Sequence, residues 1–136
     1  MIGIVIVTHC KLGDALIEAA QFILGKKPEN VVAVSINLND NADKLREKII
    51  IGIKEVNQNK ILILTDMFGG TPSNLSYSFL EEGRVEVISG VNLPILMKAL
   101  GLQGETNLSE VAAKLEIYGK KSISLASGIL KGNKRG

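Results

Sequence analysis

The chain has no tryptophan, one cysteine, one histidine and three prolines among its 136 residues. A single cysteine, Cys10, excludes an intrachain disulfide and suits a reducing compartment. With aromatic side chains at 4%, the core has to be built from aliphatic ones. No apolar run approaches the roughly 18 residues of a membrane span, and the apolar start lacks the basic flank and cleavage site of a secretory signal. A cytoplasmic location is the expectation. Charge of one sign is lacking too: 16 basic residues stand against 14 acidic ones, a balance with no nucleic-acid or membrane signature. The small basic excess lies largely in "GILKGNKRG", residues 128–136, which reads as a solvated tail. Neither a GxGxxG nor a P-loop pattern occurs at a strand-to-helix turn, which argues against dinucleotide and P-loop chemistry. No repeat, linker or low-complexity segment divides the chain, so residues 1–136 are expected to form one domain.

What is present is a regular alternation of apolar strands and amphipathic helices. Ile2 to Val7 is a nearly continuous β-branched run, too apolar to leave one face in water, and predicts a central strand covered on both sides. Leu12, Leu16, Ala19 and Ile23 then fall at helical spacing, with Gly25 as the stop. Val31 to Ile36 predicts a second strand, and Asp40 a cap for a helix with Ala42, Leu45, Ile49, Ile53 and Val56 on its apolar face. "KILILT" (60–65) is a third strand, followed by "DMFGGTPSN" and a helix carrying Leu75, Phe79 and Leu80; Arg84 to Ser89 is a fourth. "GVNLPILMKALG" reads as a loop into a short helix with Pro94 in its first turn. Asn107 and Glu110 have capping-box spacing before another helix, and "KSISLAS" (121–127) is expected as a last strand. The fold class is therefore α/β, a three-layer sandwich around a mostly parallel sheet whose order begins 2-1-3-4.

In such a sheet ligands gather at the carboxyl ends of the strands, where the order reverses. Those ends are Thr8-His9 on the first strand and Thr65-Asp66 on the third, so the lone histidine and an aspartate meet there. On position alone His9 suits either a loop hydrogen bond or a nucleophile, and Asp66 either a cap or a carboxylate that fixes the imidazole tautomer. Gly69 and Gly70 allow close backbone approach, Thr71 is a good N-cap, and Pro72 suits the first helical position, a geometry that fits an anion as well as it fits an ordinary capped helix. Together these residues point to a phosphate held beside a nucleophilic imidazole. His9 and Cys10 start toward opposite faces, so no metal site is assigned, and no organic cofactor is expected. A phosphorylated-aspartate receiver would need acidic residues after the first strand, where this chain has Thr8-His9-Cys10.

Three segments in order, "GIVIVTHCKLGDALIEAAQFILG", "ILILTDMFGGTPSN" and "VISGVNLPILMKAL", resemble the IIA domain of the mannose-type sugar phosphotransferase system. The resemblance implies that His9 takes a phosphoryl group from phospho-HPr and passes it to a IIB component, which serves the membrane IIC and IID components. It implies Asp66 as the orienting carboxylate and Gly69, Gly70 and Thr71 as the phosphoryl-holding turn. Phe68, Val91, Asn92 and Pro94 are expected to shape the docking surface. The family pattern often has glycine where this chain has Cys10 and tryptophan where it has Phe68. The resemblance further implies a homodimer in which the last strand crosses to pair antiparallel with the other subunit's sheet, covering an edge that would otherwise invite aggregation. Two other functions suit the same residues: a regulatory sensor that uses the His9 chemistry without sugar transport, and a plain anion-binding domain.

Overall fold

Ile2 to Thr8 are all buried, and their alternating side chains feed two separate cores. This strand, β1 (Ile2–His9), lies between β2 (Val31–Ile36) and β3 (Lys60–Thr65), and β4 (Val85–Ser89) flanks β3. The computed structural model of the chain describes residues 1–67 and 69–132. Among them the sheet has four strands in the order β2-β1-β3-β4, all parallel, as the alternation of strands and helices requires.

Ile2, Ile4 and Ile6 join Leu62 and Leu64 on one face, beneath α1 (Leu12–Leu24), α4 (Leu93–Gly101) and α5 (Leu108–Lys121). Val5 and Val7 join Ile61 and Ile63 on the other, beneath α2 (Ala42–Val56), with the short α3 (Thr71–Tyr77) beside it. Period-two alternation of a strand buried on both sides thus divides one run of β-branched residues between two layers. Full burial of each such side chain stabilises the fold by about 1.5–3 kcal/mol.

Helix faces and caps depart from the sequence expectation in three places. In α1 the inward residues are Gly13 and Ala20, with Leu16 and Ile17 packed beside them, whereas Leu12 and Ile23 are 45% and 56% exposed. Gly13 sets this rotation: a Cβ there would meet Ile6 Cγ2, Ala33 Cβ and Thr8 Oγ1 at 3.2–3.3 Å, so the helix approaches the sheet through its smallest residue. The N-cap of α2 is Asn41, whose side chain accepts from the Lys44 N–H at 2.8 Å, while Asp40 accepts from the Asn37 N–H and from Lys48. The helix after the glycine turn ends at Tyr77, so Phe79 and Leu80 lie beyond it.

The strand expected over 121–127 does not form within this chain. Lys121 closes α5, and Ala126–Leu130 form a short helix, α6. A strand with no partner would leave its N–H and C=O groups unpaired, whereas in α6 the Ile129 N–H donates to the Leu125 carbonyl. Ile123, Leu125 and Leu130 are 72–86% exposed there. Of the basic tail, residues 133–136 lie outside the described residues.

Candidate active site

β1 and β3 are hydrogen-bonded neighbours, and their register pairs Val7 with Thr65. Asp66 follows Thr65 directly, while Thr8 and His9 extend β1 by two residues that still pair with Ser35 and Ile36 of β2, so His9 and Asp66 stand side by side at the carboxyl edge of the sheet. Thr8, fully buried, accepts the Gly13 N–H at 2.9 Å and so ties the end of β1 to the first turn of α1. Thr65, also fully buried, accepts from the Gly90 and Val91 N–H groups and donates its hydroxyl to Ser89. His9 and Asp66 thus project from anchored backbone.

Asp66 Oδ2 accepts the backbone N–H of His9 at 2.9 Å and meets His9 Nδ1 at 2.8 Å. The other carboxylate oxygen, Oδ1, accepts the Met67 N–H at 3.0 Å. Burial alone would push the Asp66 carboxyl up, but the hydrogen bonds and charge of His9 outweigh it and hold the group below its ordinary value. An ionised carboxylate only accepts, so the proton of a neutral ring sits on Nδ1 and Nε2 carries the free lone pair. The Asp66 side chain is 10% exposed and the His9 side chain 49%, which leaves the ring open to an incoming group.

Cys10 follows with φ of +51°, in the left-handed region, and its N–H donates to the Ile36 carbonyl. Glycine reaches that conformation without the Cβ penalty, which gives a physical reason for glycine at the matching place in the family pattern.

The turn after Asp66 differs in detail from its sequence reading. Gly70, not Thr71, is the N-cap of α3, with Thr71 and Pro72 as the first two helical residues; the Thr71 side chain makes no capping bond. Gly69 has φ of +83°, and its N–H is already donated to Ser73 Oγ at 3.0 Å. Its contribution is conformational. Among the described residues the N–H groups of Gly70 and Thr71 have no protein acceptor. A Cβ built on Gly70 would lie 3.5 Å from His9 Cε1, so this turn walls the imidazole.

The residues expected to shape docking are placed unequally. Val91 is 8% exposed and belongs to the core, so it presents no docking surface. Asn92 spends its side chain as the N-cap of α4, accepting the Ile95 N–H at 2.9 Å, and Pro94 is half-buried in that first turn. Phe68 lies outside the described residues. Sequence reading missed Ser73, which is fully buried under the glycine turn. A small polar residue at the third helical position, able to reach back over the cap, was the available signal.

A family model described as the PTS system fructose IIA component matches residues 3–116. The chain is 33% identical over 129 residues to the fructose-specific EIIA component of Bacillus subtilis (strain 168), covering 93% of this chain and 88% of that protein. It is 36% identical over 101 residues to the mannose-specific EIIAB component of Escherichia coli (strain K12), covering 73% of this chain but 31% of that longer protein. The crystal structure of a phosphotransferase system component EIIA from Streptococcus agalactiae superimposes with a TM-score of 0.84 at 27% identity, over 93% of this chain and 98% of that one. A mannose/sorbose-specific IIA subunit from Enterococcus faecalis has the same fold, with a TM-score of 0.81 at 22% identity over 90% and 92% of the two chains. On the family match, the curated relatives and a histidine–aspartate pair at the switch point of the sheet, the chain belongs to the mannose-type IIA family of the sugar phosphotransferase system.

Proposed function

We propose that His9 is the phosphoryl carrier of this IIA component, loaded by phospho-HPr and discharged to a IIB component that supplies the membrane IIC and IID components. The reading rests on one observation above the others: Asp66 takes Nδ1 at 2.8 Å while the ring remains 49% exposed, so Nε2 is both the nucleophilic nitrogen and the accessible one. In the loading step the Nε2 lone pair of His9 forms the new P–N bond as the donor's P–N bond breaks. The donor ring, protonated on its other nitrogen, leaves as neutral imidazole with the bonding pair. The positive charge that passes to the His9 ring then falls beside the Asp66 carboxylate, which stabilises it in place. Transfer to IIB is the same exchange in reverse.

Phosphoryl transfer needs alignment and donors for the equatorial oxygens more than acid or base catalysis. In this reading the Gly70 and Thr71 N–H groups are those donors, Gly69 supplies the bend that presents them, and Asn92 and Pro94 border the docking face. The domain works in the cytoplasm, where HPr is found; no helix among the described residues is long and apolar enough to cross a membrane. A groove of about 700 Å³ runs along β4, lined by Tyr77, Glu86, Ser89 and Ile123 among others. We assign it to the 121–127 segment of a second copy, which in a homodimer would pair antiparallel with β4 in place of this chain's own Ile123.

The test is intact-mass analysis after incubation with phosphoenolpyruvate, enzyme I and HPr, for the native chain and His9→Ala. A single acid-labile phosphoryl adduct on the native chain alone supports the carrier. No adduct on either, or an equal adduct on both, overturns it.

A further inference from the structure

Ser73 lies outside the carrier pair, makes no contact with His9 among the hydrogen bonds of the site, and is fully buried. Its hydroxyl closes the glycine turn from beneath. Ser73 Oγ accepts the Gly69 N–H at 3.0 Å and donates to the Gly70 carbonyl at 3.2 Å, and that carbonyl also accepts the Asn74 N–H at 3.0 Å. One buried hydroxyl therefore brackets the two glycines, holding the N–H that enters the left-handed Gly69 and the carbonyl that leaves Gly70.

The consequence reaches the reacting ring through Gly70. Its Cα lies close enough to His9 that a Cβ there would contact Cε1 at 3.5 Å, and Cε1 is bonded to Nε2. A turn with two adjacent glycines has many accessible conformations, so its resting position beside an imidazole has to be imposed by something else. Asp66 holds the ring from the Nδ1 side, and Ser73 is the side chain that holds the wall opposite the ring's Cε1 edge.

We propose that Ser73 is a positioning residue for phosphoryl transfer: by clamping Gly69 and Gly70 it keeps the wall of the site at the distance that admits a phosphoryl group onto Nε2. The inference rests on the carrier reading of His9. Ser73 touches no reacting atom, and loss of its hydroxyl leaves the nucleophile and its carboxylate in place. What is lost is the orientation on which the rate at saturation depends.

The experiment compares native chain, Ser73→Ala and Ser73→Cys in rapid-quench phosphorylation by phospho-HPr, with amide hydrogen exchange of Gly69 and thermal unfolding measured on the same samples. For Ser73→Ala we expect about a tenfold lower rate at saturating phospho-HPr, an unchanged half-saturating concentration, and faster Gly69 exchange. Ser73→Cys, which keeps the shape with weaker hydrogen bonds, is expected between the two and guards against loss of folding in the alanine variant. A native saturating rate in either variant with a freely exchanging Gly69 overturns the proposal. So does a change confined to half-saturation, which would make Ser73 part of docking. If the native chain itself accepts no phosphoryl group, the carrier reading fails, and the role of Ser73 in transfer falls with it.

Discussion

A single oxygen of Asp66 holds His9 at two points, the backbone N–H at 2.9 Å and ring Nδ1 at 2.8 Å. The carboxylate thereby fixes the strand end, the rotation of the ring and its tautomer together. Asp66→Ala removes the anchor but leaves Nε2, so phosphorylation is expected to continue at a rate lower by about 10–100-fold, equivalent to about 1.4–2.7 kcal/mol in the barrier. Quench-flow phosphorylation by phospho-HPr measures it. A complete loss of the adduct in a folded variant would mean that Asp66 does more than orient and stabilise the ring.

Acid stability follows from two carboxylates with depressed values. Asp40 is held at about 2, chiefly by the hydrogen bond from Lys48 at 2.6 Å and next by the Asn37 N–H; Asp66 is displaced in the same direction by His9. A group whose folded value lies below its unfolded one stabilises the fold fully above the unfolded value, and loses that contribution as pH falls through the folded value. For Asp40 the window runs from 3.8 down to about 2. Lys48→Met removes the main cause, so the difference in Tm between native chain and variant is expected to be largest near pH ~6 and to close across that window. A difference independent of pH would show that Lys48 acts through packing alone.

The sheet order and the meeting of His9 with Asp66 were legible because they depend on long-range pattern: continuous apolar runs, their alternation with helices, and the rule placing ligands at the switch point. Details that depend on one packed atom were not. The face of α1 is rotated because Gly13 sits against Ile6 and Ala33, a contact invisible in helical spacing. Asp40 reads as a cap beside Asn41 because both residue types cap, and Lys48, eight residues on, decides between them. The 121–127 segment has strand composition, but α5 runs on to Lys121 and α6 begins at Ala126, which leaves only residues 122–125 outside a helix.

Gly52 gives the same lesson a sign. Helix propensity alone predicts that Gly52→Ala stabilises α2 by about 1 kcal/mol. In the fold, a Cβ at Gly52 would stand 2.8 Å from Val34 Cγ2 and 3.4 Å from Val5 Cγ1, in the core. Overpacking of this kind costs about 1–3 kcal/mol, so the net effect is expected to be a lower Tm. Calorimetry decides it. A Tm at or above the native value would mean that β2 gives way at no cost.

The two glycines of the turn should separate stability from transfer, because each lacks a Cβ for a different reason. Gly69 stands at φ of +83°, and among the described residues nothing beyond its chain neighbours lies within 4 Å of where a Cβ would be, so its requirement is conformational. Gly69→Ala is expected to cost about 1–2 kcal/mol from the left-handed backbone, and to slow transfer as the turn relaxes. Gly70 has φ of −88° and ψ of 171°, which alanine adopts freely, and its Cβ would meet His9 Cε1 at an ordinary contact distance of 3.5 Å. Gly70→Ala should therefore keep the native Tm within a few degrees, since no strained backbone or packed side chain is disturbed. The added methyl nevertheless occupies space that a phosphoryl group on Nε2 needs, and transfer is expected to fall by at least about tenfold, the effect of a small misplacement at the reacting centre. Tm and single-turnover phosphorylation measured on both variants check the contrast. Full transfer by a stable Gly70→Ala chain would place the phosphoryl group on the other side of the ring, away from the glycine turn.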